Sequence, residues 1–437
     1  MNIFLDTIGC RLNQSEIETY ARQFFAAGHK LVPIPDEADL VVVNTCAVTA
    51  AASSDSRQKI RQASRAGARE IIVTGCWSTL DPETAANLPG VSRVIPNLKK
   101  DRLVSEILKI PVDRRELESV ARQPVPGSRL RTRAFIKVQD GCDNRCTFCV
   151  ATIARGTSRS RRISEILSDI HAALQDNEGN QSGVCEIVLT GVHLGSWGHD
   201  LSPSTHLQKL VETILHETDS VRLRLSSIEP WDINPDFFTL WEDKRLCRHL
   251  HLPLQSGCKS TLRRMARKDT PESYAEIIAA ARSKIPDVAI TTDVIVGFPG
   301  ESEAEFIESL EFIHQMHFSG GHVFSYSSRP GTAASQMSDQ VPHKIRKQRN
   351  ALIRIALRKS ESEYKKQFIG RTMSVLWENA YPDGINSWKL SGLTDNYLRV
   401  TAIAPHNLWN QITSVHIMRL SDEILIGHFN DVPLKNY

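Results

Sequence analysis

The stretch "AFIKVQDGCDNRCTFCVATIARG" (residues 134–156) decides how the chain is read. An apolar run is followed at once by three cysteines, Cys142, Cys146 and Cys149, packed into eight residues. A strand that ends in a thiol-rich loop and leads into helical sequence is the start of a βα unit. Five similar runs follow: "CEIVLT", "VRLRLS", "RHLHLPL", "AITTDVIVG" and "GHVFSYS". Six βα units of this size predict an open or partial barrel, whose site lies at the C-terminal ends of its strands. The three-cysteine loop follows the first of them.

A zinc ribbon needs a second cysteine or histidine pair at a matched distance, and none follows Cys149 at that spacing. Three thiolates can instead hold a four-iron, four-sulfur cluster and leave one iron open to a small chelating molecule. The three-then-two spacing in a strand-end loop favours the cluster, with zinc or a purely structural loop as the alternatives. Nine cysteines, odd in number and unevenly spaced over 437 residues, fit a disulfide framework poorly. Asp6 and Arg11 interrupt what would be the apolar core of a signal peptide, and no stretch reaches membrane-spanning length. A cytoplasmic protein without membrane contact is expected.

With 41% apolar residues the chain can bury two or three cores. Residues 1 to about 98 alternate "NIFLD", "DLVVVNTC", "EIIVTGC" and "SRVIPN" with helices near Gln14 to Ala27 and Ser54 to Ala66, which predicts a small parallel α/β unit. Cys10, Cys46 and Cys76 each stand just beyond the end of one of its strands, where parallel sheets gather their ligand-binding residues. "VDRRELESVARQPVPGSRLR", near 112 to 130, reads as a linker. After a basic helix near 342 to 367, about seventy residues of short alternating segments predict a small antiparallel barrel.

A formal charge of +3 does not itself argue for nucleic acid. The distribution says more. Arg129, Arg131, Arg133, Arg155, Arg159, Arg161 and Arg162 flank the cysteine loop, and Lys344, Arg346, Lys347, Arg349, Arg354, Arg358 and Lys359 crowd the later helix. Both clusters suit phosphate contacts, with solvated helix faces as the plain alternative.

CxxxCxxC in this setting, with Phe148 before the last cysteine, resembles the radical S-adenosylmethionine superfamily. The resemblance implies that the amino and carboxylate groups of S-adenosylmethionine chelate the open iron, and that an electron from the cluster cleaves it to a 5′-deoxyadenosyl radical. Glu186 and Gly191 in "CEIVLTGVHLG", Ser226, Ser227 and Glu229 in "RLSSIEP", and Gln255 in "HLPLQSG" match positions that meet this cofactor, and "TTDVIVGFPGE" resembles the segment near its adenine. Each could equally be core or a strand-end cap.

"IGCRLNQSEIE", "VVVNTCAVT" and "IIVTGCWS" resemble the N-terminal domain of the methylthiotransferases, and this likeness runs nearly end to end. It implies that Cys10, Cys46 and Cys76 bind a second four-iron cluster, which holds the sulfur to be inserted. It also implies domains at 1–112 (auxiliary cluster), 130–362 (radical S-adenosylmethionine core, a partial (βα)6 barrel) and 363–433 (a TRAM-like barrel). The two open irons should face one cavity, because the sulfur donor must lie within bonding distance of the activated carbon.

"GCRLNQSEIE" and "GVHLGSWG" resemble the subgroup that acts on threonylcarbamoyladenosine in tRNA, adding methylthio at carbon 2 of the base beside the anticodon. The alternatives are an isopentenyladenosine substrate, an aspartate of a ribosomal protein, and a metal module that only binds RNA. An electron donor such as flavodoxin or ferredoxin is expected as a partner, besides the tRNA anticodon loop. Trp377, Trp388 and Tyr397 are read as barrel core rather than base-stacking surfaces. Cys185, Cys247 and Cys258 are read as core or surface thiols. "VATIARG" after Cys149 departs from the "IIPYARG" of relatives, which leaves that loop's packing open.

Overall fold

The computed structural model describes residues 1–109, 132–175, 183–220 and 222–429. The linker near 112 to 130, with Arg129 and Arg131, lies outside the described residues.

The N-terminal unit is a five-stranded parallel sheet in the order β2-β1-β3-β4-β5, built from β1 (Asn2–Thr7), β2 (Lys30–Leu31), β3 (Leu40–Thr45), β4 (Glu70–Gly75) and β5 (Val91–Ile95). β3 is buried along its whole length, as a parallel strand covered on both faces must be. Its side chains alternate between two cores. Leu40 and Val42 join Ile17, Tyr20 and Phe24 of the helix Arg11–Ala26, while Val41 and Val43 join Ile60 and Ala63 of the helix Ala50–Arg65. The second helix starts four residues before the expected position because Thr49 caps it, its hydroxyl accepting from the Ala52 amide.

The central unit holds six parallel strands: β6 (Arg133–Lys137), β9 (Glu186–Thr190), β10 (Arg222–Leu225), β11 (His249–His251), β12 (Ala289–Val296) and β13 (Gly320–Ser325). They form two three-stranded sheets joined edge to edge by the bridges Leu223–Leu246 and Ser227–His251, and among the described residues the outer strands β6 and β13 do not pair, so the barrel is open. A two-rung antiparallel clamp, β7 (Gln139–Asp140) with β8 (Arg159–Ser160), ties together the two ends of the three-cysteine loop.

The C-terminal unit is a closed barrel of β14 (Thr372–Pro382), β15 (Trp388–Thr394), β16 (Arg399–Ala404), β17 (Ile412–Ser421) and β18 (Ile424–His428), in the order β14-β15-β16-β18-β17. Its strands pair antiparallel except β16 with β18, which run parallel. The expected antiparallel barrel is present with this one exception, which parity requires, since a closed ring with an odd number of strands cannot alternate direction throughout. Trp377 is fully buried in its core. Tyr397 is not. It sits on the β15–β16 turn and reaches into the central unit, stacked on His249 at 4.4 Å, with its hydroxyl accepting from Arg11 Nη2 at 2.7 Å.

Candidate functional site

Cys10 begins the helix after β1, Cys46 follows β3, and Cys76 opens the short helix Cys76–Leu80 after β4. Two glycines make this convergence possible. Gly9 has φ +110°, and a β-carbon there would stand 2.6 Å from Cys46 Sγ. Gly75 has φ +101°, and a β-carbon would stand 2.3 Å from the Thr45 carbonyl oxygen. Only glycine suits such a conformation and such close approach.

Around the core trio, the Cys142 amide donates to the Gly156 carbonyl and the Cys149 amide to that of Cys146. Thr147 bonds to the Arg264 and Met265 carbonyls, fixing the loop against the barrel. Phe148 packs against the cluster of Met265, Phe298 and Tyr326. Burial pushes the Cys149 thiol up to about 12 and the Cys46 thiol up to about 11. Thiols so reluctant to ionise alone give up their protons when a cation binds.

The whole N-terminal trio and Cys149 of the core trio open on one cavity of about 1380 Å³. Cys10, Cys46 and Cys76 line it from one side, and Phe148, Cys149, Val150 and Ala151 from another, with Gly191, Ser226, Ser227 and Gln255 at the strand ends. The volume exceeds the ~300–1,000 Å³ of ordinary small-molecule sites, which leaves room for a cofactor and a second ligand together. Ser226 Oγ and Asp293 Oδ1, both in this wall, are buried without a hydrogen-bond partner. Orphaned polar atoms of this kind suit a polar ligand.

The structure does not bring every expected residue to the site. Glu186 lies at the opposite end of β9, five residues before Gly191, or about 16 Å along a strand at ~3.3 Å per residue. It is 0% exposed and accepts two bonds from Arg224, at 2.7 and 2.9 Å, so it is a buried ion-pair partner and not a cofactor contact. Glu229 stands behind the cavity wall, paired with Arg267 Nη1 at 2.8 Å.

Two of the arginines after the loop are also corrected, while Arg162 stays exposed and Arg159 partly so. Arg155 is 3% exposed and bonds inward, and Arg161 pairs with Asp169 at 2.7 Å. In the later helix, His343–Lys366, Arg349 is buried against Glu301, whereas Lys344, Lys347, Arg354, Arg358 and Lys359 are exposed. The VATIARG segment forms a helical turn, Ala151–Arg155, that leaves Ile153 largely in solvent.

Three further groups escaped the sequence reading. His193 Nε2 lies 2.6 Å from Asp232 Oδ2; burial works against its charge, but bonds to Asp232 and Cys142 raise it to about 10. Arg267 bonds to Cys146 as well as Glu229. Lys100, fully buried, pairs with Glu16 at 2.5 Å behind the N-terminal trio. Only the spacing of Asn13 and Glu16 after Cys10 hints at that last network.

Residues 2–95 match the model of Uncharacterized protein family UPF0004, and residues 136–313 match that of the Radical SAM superfamily. Relatives named threonylcarbamoyladenosine tRNA methylthiotransferase MtaB are 34% identical in Bacillus subtilis (97% of this chain, 95% of that one) and 36% identical in Thermotoga maritima (97% and 96%). A tRNA-2-methylthio-N(6)-dimethylallyladenosine synthase of Caldicellulosiruptor saccharolyticus is 32% identical (85% and 80%). Among solved structures, the radical S-adenosylmethionine methyltransferase TsrM of Kitasatospora setae is similar in fold, with a TM-score of 0.58 at 14% identity over 76% of this chain and 75% of that one. End-to-end identity with relatives of one kind, joined to a thiol-lined cavity between two matched units, leads to one assignment: the chain belongs to the radical S-adenosylmethionine tRNA methylthiotransferases.

Proposed function

We propose that this protein adds a methylthio group to carbon 2 of threonylcarbamoyladenosine in the anticodon loop of tRNA, using two four-iron clusters and S-adenosylmethionine. The observation that carries the reading is the single cavity lined by Cys10, Cys46 and Cys76 of one trio and Cys149 of the other. The names of relatives at 34–36% identity over nearly the whole chain support the substrate.

Cys142, Cys146 and Cys149 would hold one cluster, and Cys10, Cys46 and Cys76 the other. When bound, these groups supply the electron that cleaves S-adenosylmethionine and the sulfur that is inserted. Phe148 walls the cofactor region by packing on Met265 and Phe298. Gly191 lines the cavity and makes room for Gln139 to pack against its backbone, and Ser226 and Asp293 offer unpaired oxygens to polar groups of a ligand. The apolar part of the wall, with the barrel closing one side, limits water near the reacting carbon.

Lys347 and Arg354 line the cavity from the basic helix and, with exposed Lys344, Arg358 and Lys359, would grip phosphates beside a splayed-out base. No helix among the described residues is long and apolar enough to cross a membrane. A cytoplasmic location follows from the tRNA substrate, and a flavodoxin- or ferredoxin-type reductant from the need for single electrons.

Nucleoside mass analysis of tRNA from a strain lacking the gene tests the reading. The 2-methylthio derivative of threonylcarbamoyladenosine should vanish and return with the wild-type gene. Loss of the isopentenyl derivative instead, or unchanged tRNA, would refute the substrate.

A further inference from the structure

The buried side chain of Arg155 uses its whole guanidinium. Nε donates to Cys76 Sγ at 3.3 Å, Nη1 to Asp140 Oδ1 at 2.8 Å and Glu16 Oε1 at 3.3 Å, and Nη2 to Asn13 Oδ1 at 2.9 Å. It is the last residue of the turn Ala151–Arg155, which begins two residues after Cys149. One side chain therefore starts at the loop of the core trio and ends on a sulfur of the N-terminal trio.

The three N-terminal sulfurs are treated unequally. Cys76 receives this cationic donor and also Asn97 Nδ2 at 3.6 Å, while the same Asn97 amide donates to the Ala154 carbonyl and so holds the turn in place. Cys46 takes the backbone amide of Val48 and Cys10 that of Asn13, with Cys10 Sγ 3.8 Å from Asn13 Oδ1, so among the described residues only Cys76 has side-chain N–H donors. An N–H donor on a ligand sulfur, above all a charged one, favours the more negative, reduced state of a cluster.

A role confined to charge balance explains less. Glu16 and Asp140 also face Lys100 and Lys137, at 2.5 and 3.6 Å for the closest approaches, so Arg155 shares their charge with two lysines although it is the nearest cation to Asp140, at 2.8 Å. What only Arg155 supplies is the guanidinium N–H directed at Cys76.

We propose that Arg155 is a positioning residue that raises the reduction potential of the N-terminal cluster through its bond to Cys76, linking that potential to the seating of the core cysteine loop. This rests on the reading of Cys10, Cys46 and Cys76 as cluster ligands. The test uses the full-length chain, anaerobically reconstituted, in a potentiometric titration followed by electron paramagnetic resonance. Added S-adenosylmethionine marks the core signal by perturbing it.

Arg155→Gln at wild-type iron content should move the S-adenosylmethionine-insensitive signal to lower potential and leave the sensitive one in place. Arg155→Lys, which keeps the charge for Glu16 and Asp140 but not the planar donor at Cys76, should shift the same signal by less. An insensitive signal that stays put at full iron in either variant, or two signals that move together, overturns the proposal. So does loss of iron from both variants, which would make Arg155 a folding residue. Wild-type protein with about four irons per chain instead of about eight would refute the ligand reading itself, a separate outcome.

Discussion

Replacing Glu186 with Ala separates a structural carboxylate from a cofactor ligand. Both Glu186 and Arg224 are 0% exposed and joined by two bonds. Removing one partner of a buried pair costs about 3–5 kcal/mol, because the other charge stays buried without its counterion. Arg224 also donates to the Asp395 and Thr394 carbonyls, which puts the cost toward the lower end of that range. At about 2–4 °C per kcal/mol for a unit of this size, a loss of about 3 kcal/mol lowers the unfolding midpoint by about 6–12 °C. The paired change Glu186→Leu with Arg224→Met removes both charges and should recover most of the loss. Thermal unfolding by circular dichroism reads the first quantity, and calorimetric titration of reconstituted protein with S-adenosylmethionine reads the second. An unchanged midpoint together with lost S-adenosylmethionine affinity would refute the structural assignment.

Gly75→Ala should reduce bound iron from about eight to about four per chain, since the new β-carbon meets the Thr45 carbonyl and displaces Cys76; iron assay and retained S-adenosylmethionine cleavage check it. Cys149→Ala should abolish that cleavage, while Cys46→Ala should keep it and lose methylthiolated tRNA, both read by chromatography of the products. Docking of the C-terminal barrel should weaken on acidification. The Arg371 guanidinium holds Asp287 below its usual range, and Arg248 holds Asp395 low although burial opposes it. Carboxylates with depressed values stabilise the fold fully above their unfolded value, about 3.9, and lose that contribution as the pH falls through the folded one. Proteolytic release of the barrel below about pH 4, absent at neutrality, checks this.

Much of the architecture was legible because the strands advertise themselves. Val41, Val42 and Val43 form a run that only a two-sided parallel strand buries, and "AITTDVIVG" alternates as the observed β12 does. Cys10, Cys46 and Cys76 could be grouped in advance because strand ends of one parallel sheet share an edge. What stayed hidden depended on distance along an element or on partners far away in sequence. Glu186 and Gly191 share a strand but sit at opposite ends of it. Arg155 looked like a surface cation until Glu16, Asn13 and Cys76, all more than seventy residues away, were seen around it. Tyr397 reads as an ordinary barrel residue, and nothing local to it announces His249 or Arg11.

The bond between Tyr397 and Arg11 spans 386 positions of the chain, and Leu393 to Arg399 complete the cavity wall on that side. A polypeptide growing from its N-terminus folds its early units first. The chamber of this protein therefore has an unfinished side for most of its synthesis, and its wall is completed only when the last tenth of the chain arrives.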